Sequence, residues 1–294
     1  MRSIVISIIL SLFAFSAHAE MVSIKWKPSD SITWVPGNNY IDGHSRNFMN
    51  GTVEEKRKVK AEGELQAEII VPKETKGPIP FMILMHGCSG MNKTLRAWAH
   101  NYSGKLVGAG YGVLILDSFT TRGLDPDGVC SDPSQLEWAR RRADDAYSAL
   151  NWLVETGRAD PKRVYVSGRS NGATTVLIIM NRTIGSLHKN LFAGAFPVQP
   201  SCLYMKNVEF YAPVHMFLAE KDQATSSVLC NAMASTSRAI PVQTKVWKGA
   251  HHSYQDNGPT QVFHGYTISY NAQAAEGTIK AIINTLNSQK RSKL

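Results

Sequence analysis

The 294-residue sequence predicts an α/β fold, in which a mostly parallel central sheet carries helices on both faces. Short apolar runs alternate with amphipathic segments along the chain, which is the pattern of βαβ units. One apolar run, Val164–Val166, leads through a tight glycine turn into the helix-like segment Ala173–Met180. The length suffices for one full core. We therefore expect a single domain over residues 20–294, in which residues 20–55 form an N-terminal extension.

The first 19 residues have the pattern of a secretory signal peptide. Arg2 supplies a positive charge, residues 4–15 are apolar apart from two serines, and Ala17-His18-Ala19 matches an A-x-A cleavage site. No other stretch is long and apolar enough to cross a membrane. We expect a mature chain that begins at Glu20 and is secreted or periplasmic; an N-terminal membrane anchor is the alternative.

The strands are predicted from short β-branched and apolar runs bounded by turn residues. In chain order they are Val22–Trp26, Ile32–Val35, Lys58–Leu65 and Ala67–Val71 (which turn near Gly63), Phe81–Met85, Tyr111–Leu116, Val164–Val166, Leu191–Val198, Val214–Leu218 and Pro241–Trp247.

The helices are predicted from apolar residues that recur at spacings of three and four. They are Thr94–Val107, Leu136–Leu153, Ala173–Met180, Ser226–Ser237 and Ala272–Leu286. Gly108 and Gly110 end the first, and Gly157 ends the second. Within the second, Arg140–Asp144 and Arg141–Asp145 are spaced to form ion pairs on the helix surface.

The formal net charge is +9, which is compatible with an anionic partner. The basic residues are scattered, however, except for a tail at Lys290–Lys293 that we interpret as solvated. We expect no nucleic-acid partner.

Ser170 is the predicted nucleophile. It lies in Gly168-Arg169-Ser170-Asn171-Gly172, a G-x-S-x-G between a strand and a helix, where the glycines allow a turn sharp enough to expose the serine hydroxyl. A serine needs a base, which is a histidine oriented by a carboxylate. Asp222 follows the strand Val214–Leu218, and His252 follows the last strand, so the order serine, acid, histidine is that of an α/β-hydrolase.

Some of these positions have alternatives. Glu220 could be the acid, and physical reasoning alone does not separate His251 from His252. His215 lies inside an apolar strand and is interpreted as a core histidine. Backbone N–H groups must stabilise the oxyanion; Asn171 follows the nucleophile, and Cys88 lies in the HGxxG-type loop His86–Gly90.

Four cysteines, Cys88, Cys130, Cys202 and Cys230, suggest two disulfides in an exported protein. Three pairings are possible; we favour Cys88–Cys130 and Cys202–Cys230, because each would join loops at the same end of the sheet. Their spacings are too wide for a CxxC-type zinc site, and we expect no metal and no other cofactor.

With these residues considered together, the chain resembles the dienelactone hydrolase family of α/β-hydrolases from about Lys58 to Leu286. The resemblance is carried by five segments: PFMILMHGCSG (80–90), LILDSF (114–119), ARRRADDAYSALNWL (139–153), DPKRVYVSGRSNGA (160–173) and GAHHSY (249–254). The family's histidine stands in an H-[GSA]-[FY] unit, which favours His252. Its namesake enzymes have a cysteine where this chain has Ser170.

The resemblance implies a serine hydrolase that cleaves carboxylic esters or lactones of small molecules through an acyl-enzyme. A peptidase or polyester hydrolase, or a non-catalytic binding protein of the same fold, are the alternatives. The segment Gln199–Pro213 is too short for a large lid domain, so we expect an open site.

Overall fold

The computed structural model describes residues 17–26, 63–124, 129–131, 135–203, 205, 207–237 and 239–291. The predicted strand Ile32–Val35, most of the signal peptide and most of the N-terminal extension lie outside these residues.

The predicted α/β fold is confirmed. The described strands are β1 (Ala17–Trp26), β2 (Gly63–Pro72), β3 (Ile79–Met85), β4 (Gly112–Asp117), β5 (Ala159–Arg169), β6 (Gly194–Val198), β7 (Val214–Ala219), β8 (Val242–Trp247), β9 (Gln261–Phe263) and β10 (Tyr266–Ile268). The helices are α1 (Lys93–Gly108), α2 (Gln135–Glu155), α3 (Asn171–Met180), α4 (Arg182–Gly185), α5 (Ser227–Thr236) and α6 (Ala272–Arg291), and Thr120–Arg122 forms a 3-10 turn.

The main sheet has eight strands in the order β1-β2-β4-β3-β5-β6-β7-β8. The pairs from β4 to β8 are parallel, whereas β1 and β2 pair antiparallel at one edge. Helices α2 and α3 pack on one face, and α1 and α6 pack on the other. Because parallel strands end at the same edge, the loops after β3, β5, β7 and β8 meet there.

Helix α2 corrects one prediction. Arg140, Asp144 and Asp145 are buried rather than on the surface, and Asp145 accepts two hydrogen bonds from Arg122, at 2.7 and 2.8 Å. The helix packs against the sheet, against α3 and beside the segment after β4. A charged run that looks solvated in sequence therefore contributes to the interior.

The β2 region also differs from the prediction. Gly63–Pro72 is one continuous strand, so Leu65 and Ala67 do not belong to separate strands, and residues 58–62 of the predicted strand Lys58–Leu65 lie outside the described residues. Its partner β1 begins at Ala17, so the predicted cleavage after Ala19 would remove the first three residues of this edge strand. Within the described residues, no helix is long and apolar enough to span a bilayer.

Candidate active site

Ser170 occupies a sharp turn between β5 and α3. Its backbone φ of 51° is rare for a residue other than glycine. Its N–H donates to the carbonyl oxygen of Val198 at 2.9 Å. A Cβ on Gly168 would lie 2.6 Å from the backbone of Gly172, and one on Gly172 would lie 2.4 Å from the carbonyl oxygen of His86. Both glycines of the motif are thus required by close backbone approach.

The structure brings Ser170, His252 and Asp222 together in a chain of hydrogen bonds. The Ser170 Oγ lies 3.0 Å from His252 Nε2, and His252 Nδ1 lies 2.8 Å from Asp222 Oδ2. A carboxylate can only accept, so Nδ1 carries the proton and Nε2 is the acceptor for the serine hydroxyl. His252 is 2% exposed. This is the arrangement in which a histidine can take a proton from serine.

Asp222 is fixed by four further hydrogen bonds. Its Oδ1 accepts from the N–H groups of Ala224 and Thr225, at 2.9 and 2.8 Å. Its Oδ2 accepts from the Thr225 hydroxyl and from Gln199 Nε2. The alternative acid, Glu220, is exposed and accepts instead from the Gly249 N–H at 2.7 Å.

Gln199 connects the acid to the histidine loop, a role that sequence reasoning missed. Its side chain donates to Asp222 and to the carbonyl oxygen of His251, and it accepts from the Ser253 N–H at 3.0 Å. It is buried and has a φ of 55°. The amide therefore holds the backbone on both sides of His252, while the alternative base, His251, contributes its carbonyl to this contact. The position of Gln199, one residue past β6 at the functional edge, was the available signal.

The two predicted oxyanion donors flank Ser170. Asn171 is the first residue of α3, and the loop of Cys88 is adjacent, since a Cβ on Gly87 would lie 3.7 Å from Ser170 Cβ. Outside the helices and strands of the described residues, neither the Cys88 nor the Asn171 N–H donates to a backbone carbonyl. Cys88 is bonded to Cys130, and Cys202 is bonded to Cys230, so the structure contains both favoured disulfides.

Arg142, on α2, contacts both sides of this oxyanion region. Its guanidinium donates to Asn171 Oδ1 at 2.7 Å and to the carbonyl oxygen of His86 at 2.6 Å, and it packs over the Phe119 ring. Burial lowers the pKa of Arg142 to about 9, while Asp145 opposes the shift, so the group is charged at neutral pH. No sequence motif singled it out.

His86 is the first residue of the loop that carries Cys88, and it is fully buried. Burial, with a further contribution from Arg142, lowers its pKa to about 3. Its Nδ1 donates to the carbonyl oxygen of Gly87 at 2.7 Å, and its Nε2 accepts from the Ser118 N–H at 3.2 Å. Both ring nitrogens of the neutral imidazole thus form hydrogen bonds, and these help to fix the loop. His215, the predicted core histidine, is half-buried and stacks on Phe196.

Two clefts open on either side of Ser170, with volumes of about 660 and 430 Å³. The hairpin β9–β10, which sequence reasoning did not predict, forms part of their walls. Its Tyr266 ring lies 5.3 Å from the His252 ring, and Ile268 forms a parallel bridge with His252. In the described part of the chain, no group of three or more His, Cys, Asp or Glu side chains is placed to hold a metal ion.

Three solved structures share this fold at low identity. A Klebsiella pneumoniae protein assigned to the dienelactone hydrolases is 16% identical, with a TM-score of 0.59 over 76% of this chain and 93% of that one. The propionate-bound esterase Est2 of Thermogutta terrifontis is 13% identical, with a TM-score of 0.57 over 77% and 90%. The dienelactone hydrolase-like promiscuous phosphotriesterase P91, from metagenomic libraries, is 15% identical, with a TM-score of 0.57 over 92% and 98%.

No curated protein matches the chain. The sequence model of the dienelactone hydrolase family matches residues 65–290, which is more than half of the chain and contains every predicted site residue. Together with the fold, this match shows that the chain belongs to the dienelactone hydrolase family of α/β-hydrolases.

Proposed function

We propose that this protein is a serine hydrolase that cleaves carboxylic esters or lactones through an acyl-enzyme. The observation that carries the proposal is the unbroken hydrogen-bond chain from Ser170 Oγ through His252 to Asp222. The family is one of hydrolases, and a structural neighbour, Est2, has been captured with propionate or butyrate bound.

Ser170 Oγ attacks the carbonyl carbon while its proton passes to His252 Nε2. The negative charge that develops on the carbonyl oxygen is stabilised by the N–H groups of Cys88 and Asn171. The ester C–O bond then breaks, and His252 returns the proton to the departing alcohol oxygen. Water repeats the sequence on the acyl-serine, which releases the acid and restores the enzyme. Asp222 holds the tautomer of His252 and stabilises the imidazolium.

The test is turnover of 4-nitrophenyl acetate and butyrate by the purified protein and by Ser170→Ala. We expect the wild type to turn over both esters and to be labelled at Ser170 by a fluorophosphonate, and the variant to lose at least 10³-fold in kcat. Unchanged turnover in the variant would overturn the nucleophile assignment. Activity on peptides or polyesters alone would favour those hydrolases, and no turnover with no labelling would favour a binding protein.

We also propose that the chain is exported and cleaved after Ala19. The leader pattern of residues 1–19 and the two disulfides support this, because disulfides persist in oxidising compartments. N-terminal sequencing of the protein recovered from fractionated bacterial cells should begin at Glu20 in the periplasm or medium. A full-length chain in the cytoplasm would contradict export.

A further inference from the structure

The sizes of the two clefts indicate that the substrate extends on both sides of the reacting carbonyl. Each cleft, of about 660 and 430 Å³, falls in the range of roughly 300–1,000 Å³ that is usual for complete ligand pockets. Ser170, Cys88 and Tyr266 line both, so the nucleophile stands at their junction. An acetyl ester of a small alcohol would leave most of this space unfilled.

The position of His252 decides which half of the ester each cleft receives, and this step rests on the proposed function. Among the described residues, His252 lines only the larger cleft, and Asn171 lines only the smaller one. Because His252 returns its proton to the leaving oxygen, the alcohol half must lie beside it. The larger cleft therefore takes the alcohol, and the smaller one takes the acyl group.

The charged side chains that line the larger cleft do not favour a cationic alcohol. Its carboxylate, Asp256, is paired through both oxygens with the Arg169 guanidinium, which also packs on the Trp98 ring. Lys93, exposed at the start of α1, is the remaining charged side chain among the described lining residues. A quaternary ammonium group, as in a choline ester, would find no free anion in this lining.

The remaining lining of the larger cleft combines neutral hydrogen-bonding groups with aromatic rings. Amide and hydroxyl side chains include those of Asn101, Asn257, Gln261 and Ser253, and rings are supplied by Phe263 and Tyr270. Amides and hydroxyls can donate to and accept from alcohol groups. Rings offer apolar area and fixed geometry at low entropic cost. Such a lining fits an uncharged, hydroxyl-rich molecule with apolar faces, as a sugar has.

The smaller cleft suits an uncharged acyl chain. Its described lining contains no Asp, Glu, Lys or Arg side chain and includes Leu136, Thr174, Ala224 and Tyr266. We propose that this enzyme hydrolyses esters in which an uncharged acyl group longer than acetyl is joined to a hydroxyl-rich, sugar-like alcohol.

The test uses two substrate ratios. The alcohol ratio compares kcat/KM for the butyrate monoesters of glucose and of ethanol; the acyl ratio compares 4-nitrophenyl octanoate with 4-nitrophenyl acetate. In the wild type we expect kcat/KM to be at least tenfold higher for the glucose ester than for the ethanol ester. We also expect it to be higher for the octanoate than for the acetate. Tryptophan at an exposed lining alanine should fill one cleft at a time: Ala97→Trp fills the larger cleft, and Ala224→Trp fills the smaller.

Ala97→Trp should lower the alcohol ratio at least tenfold while the acyl ratio keeps its wild-type value. Ala224→Trp should lower the acyl ratio while the alcohol ratio keeps its wild-type value. Ala232→Trp, exposed on α5 and outside both linings, is the matched control for an added surface tryptophan. Asn101→Trp and Ser201→Phe replace the two test variants if either fails to fold.

The outcomes separate this inference from the proposed function. A wild-type alcohol ratio near one, or variants that change both ratios equally or in the opposite assignment, would overturn the cleft assignment while nitrophenyl turnover and Ser170 labelling persist. Absence of all ester turnover and of labelling would instead overturn the hydrolase proposal itself.

Discussion

The acid–histidine half and the oxyanion half of the site are held by different kinds of support. Asp222 and His252 stand on loops after neighbouring strands and are joined by Gln199 through side-chain hydrogen bonds. The amides of Cys88 and Asn171 are backbone groups. Their support comes from a disulfide and from the buried Arg142, which is distant in sequence. The first half therefore depends on which side chains are present, and the second on where the backbone is held.

The largest effect is expected in the acid–histidine half. Asp222→Asn should lower kcat by about 10⁴-fold, because an amide stabilises the wrong tautomer of His252 and cannot balance the imidazolium. Steady-state kinetics on 4-nitrophenyl butyrate measures this. Glu220→Gln is the matched control, since Glu220 is exposed and its carboxylate accepts a hydrogen bond from the Gly249 N–H rather than from His252. A larger loss in the control would assign the acid to Glu220.

Arg142→Met should lower kcat by about 10²-fold with little change in KM. The methionine fills similar space but releases the Asn171 side chain and the His86 carbonyl, so both oxyanion donors lose their alignment; removing one such donor outright costs about 10²–10³-fold. Affinity for a boronic acid transition-state analogue should fall in parallel with kcat. A lower melting temperature with unchanged kcat would show that Arg142 supports the fold only.

The two disulfides should separate stability from catalysis. Replacing Cys88 and Cys130 together by Ala should lower kcat several-fold, because the loop that carries the Cys88 amide loses its covalent link. Replacing Cys202 and Cys230 together should lower the free energy of unfolding by about 2–4 kcal/mol with kcat retained. Kinetics and urea titrations of both variants make the comparison. Equal kcat in the two would remove the Cys88–Cys130 bond from the oxyanion half.

The smallest effect at neutral pH concerns His86, whose contribution to stability changes only as the pH falls. The folded chain keeps His86 neutral, with a pKa of about 3, whereas the unfolded chain binds a proton near pH 6.5. The contribution of neutral His86 to the free energy of unfolding is therefore complete above pH 6.5. It declines by up to about 1.4 kcal/mol per pH unit as the pH falls towards 3. Urea titrations at several pH values should show that the free energy of unfolding depends less steeply on pH in His86→Gln than in the wild type. An identical slope in both proteins would contradict a neutral buried His86.

The acid–histidine half could be predicted from the sequence because each of its groups directly follows a recognisable strand. Ser170, Asp222 and His252 need only the order of strands and the rule that parallel strands end at one edge. The support of the oxyanion half could not be predicted, because Arg142 lies 29 and 56 residues from its two partners. Arg142 lies within a run of charged residues whose pattern matches a solvated helix face, and only the packing of α2 shows which of its arginines turn inward.

The hairpin β9–β10 escaped prediction for another reason. Its strands have three residues each and are largely exposed or half-buried, so they lack the apolar alternation that marks a strand in sequence. What fixes the hairpin is its contact with the rest of the edge, including the bridge between Ile268 and His252. Local pattern cannot report a segment whose stability comes from what it touches.

That bridge has a consequence for how such an enzyme can diversify. The hairpin that lines both clefts is bridged to the backbone of His252, the proposed base, so a change of hairpin length or sequence that alters selectivity also affects the position of His252. New preferences are therefore more readily acquired through α1 and the start of α2, whose cleft-lining residues can vary without disturbing the imidazole.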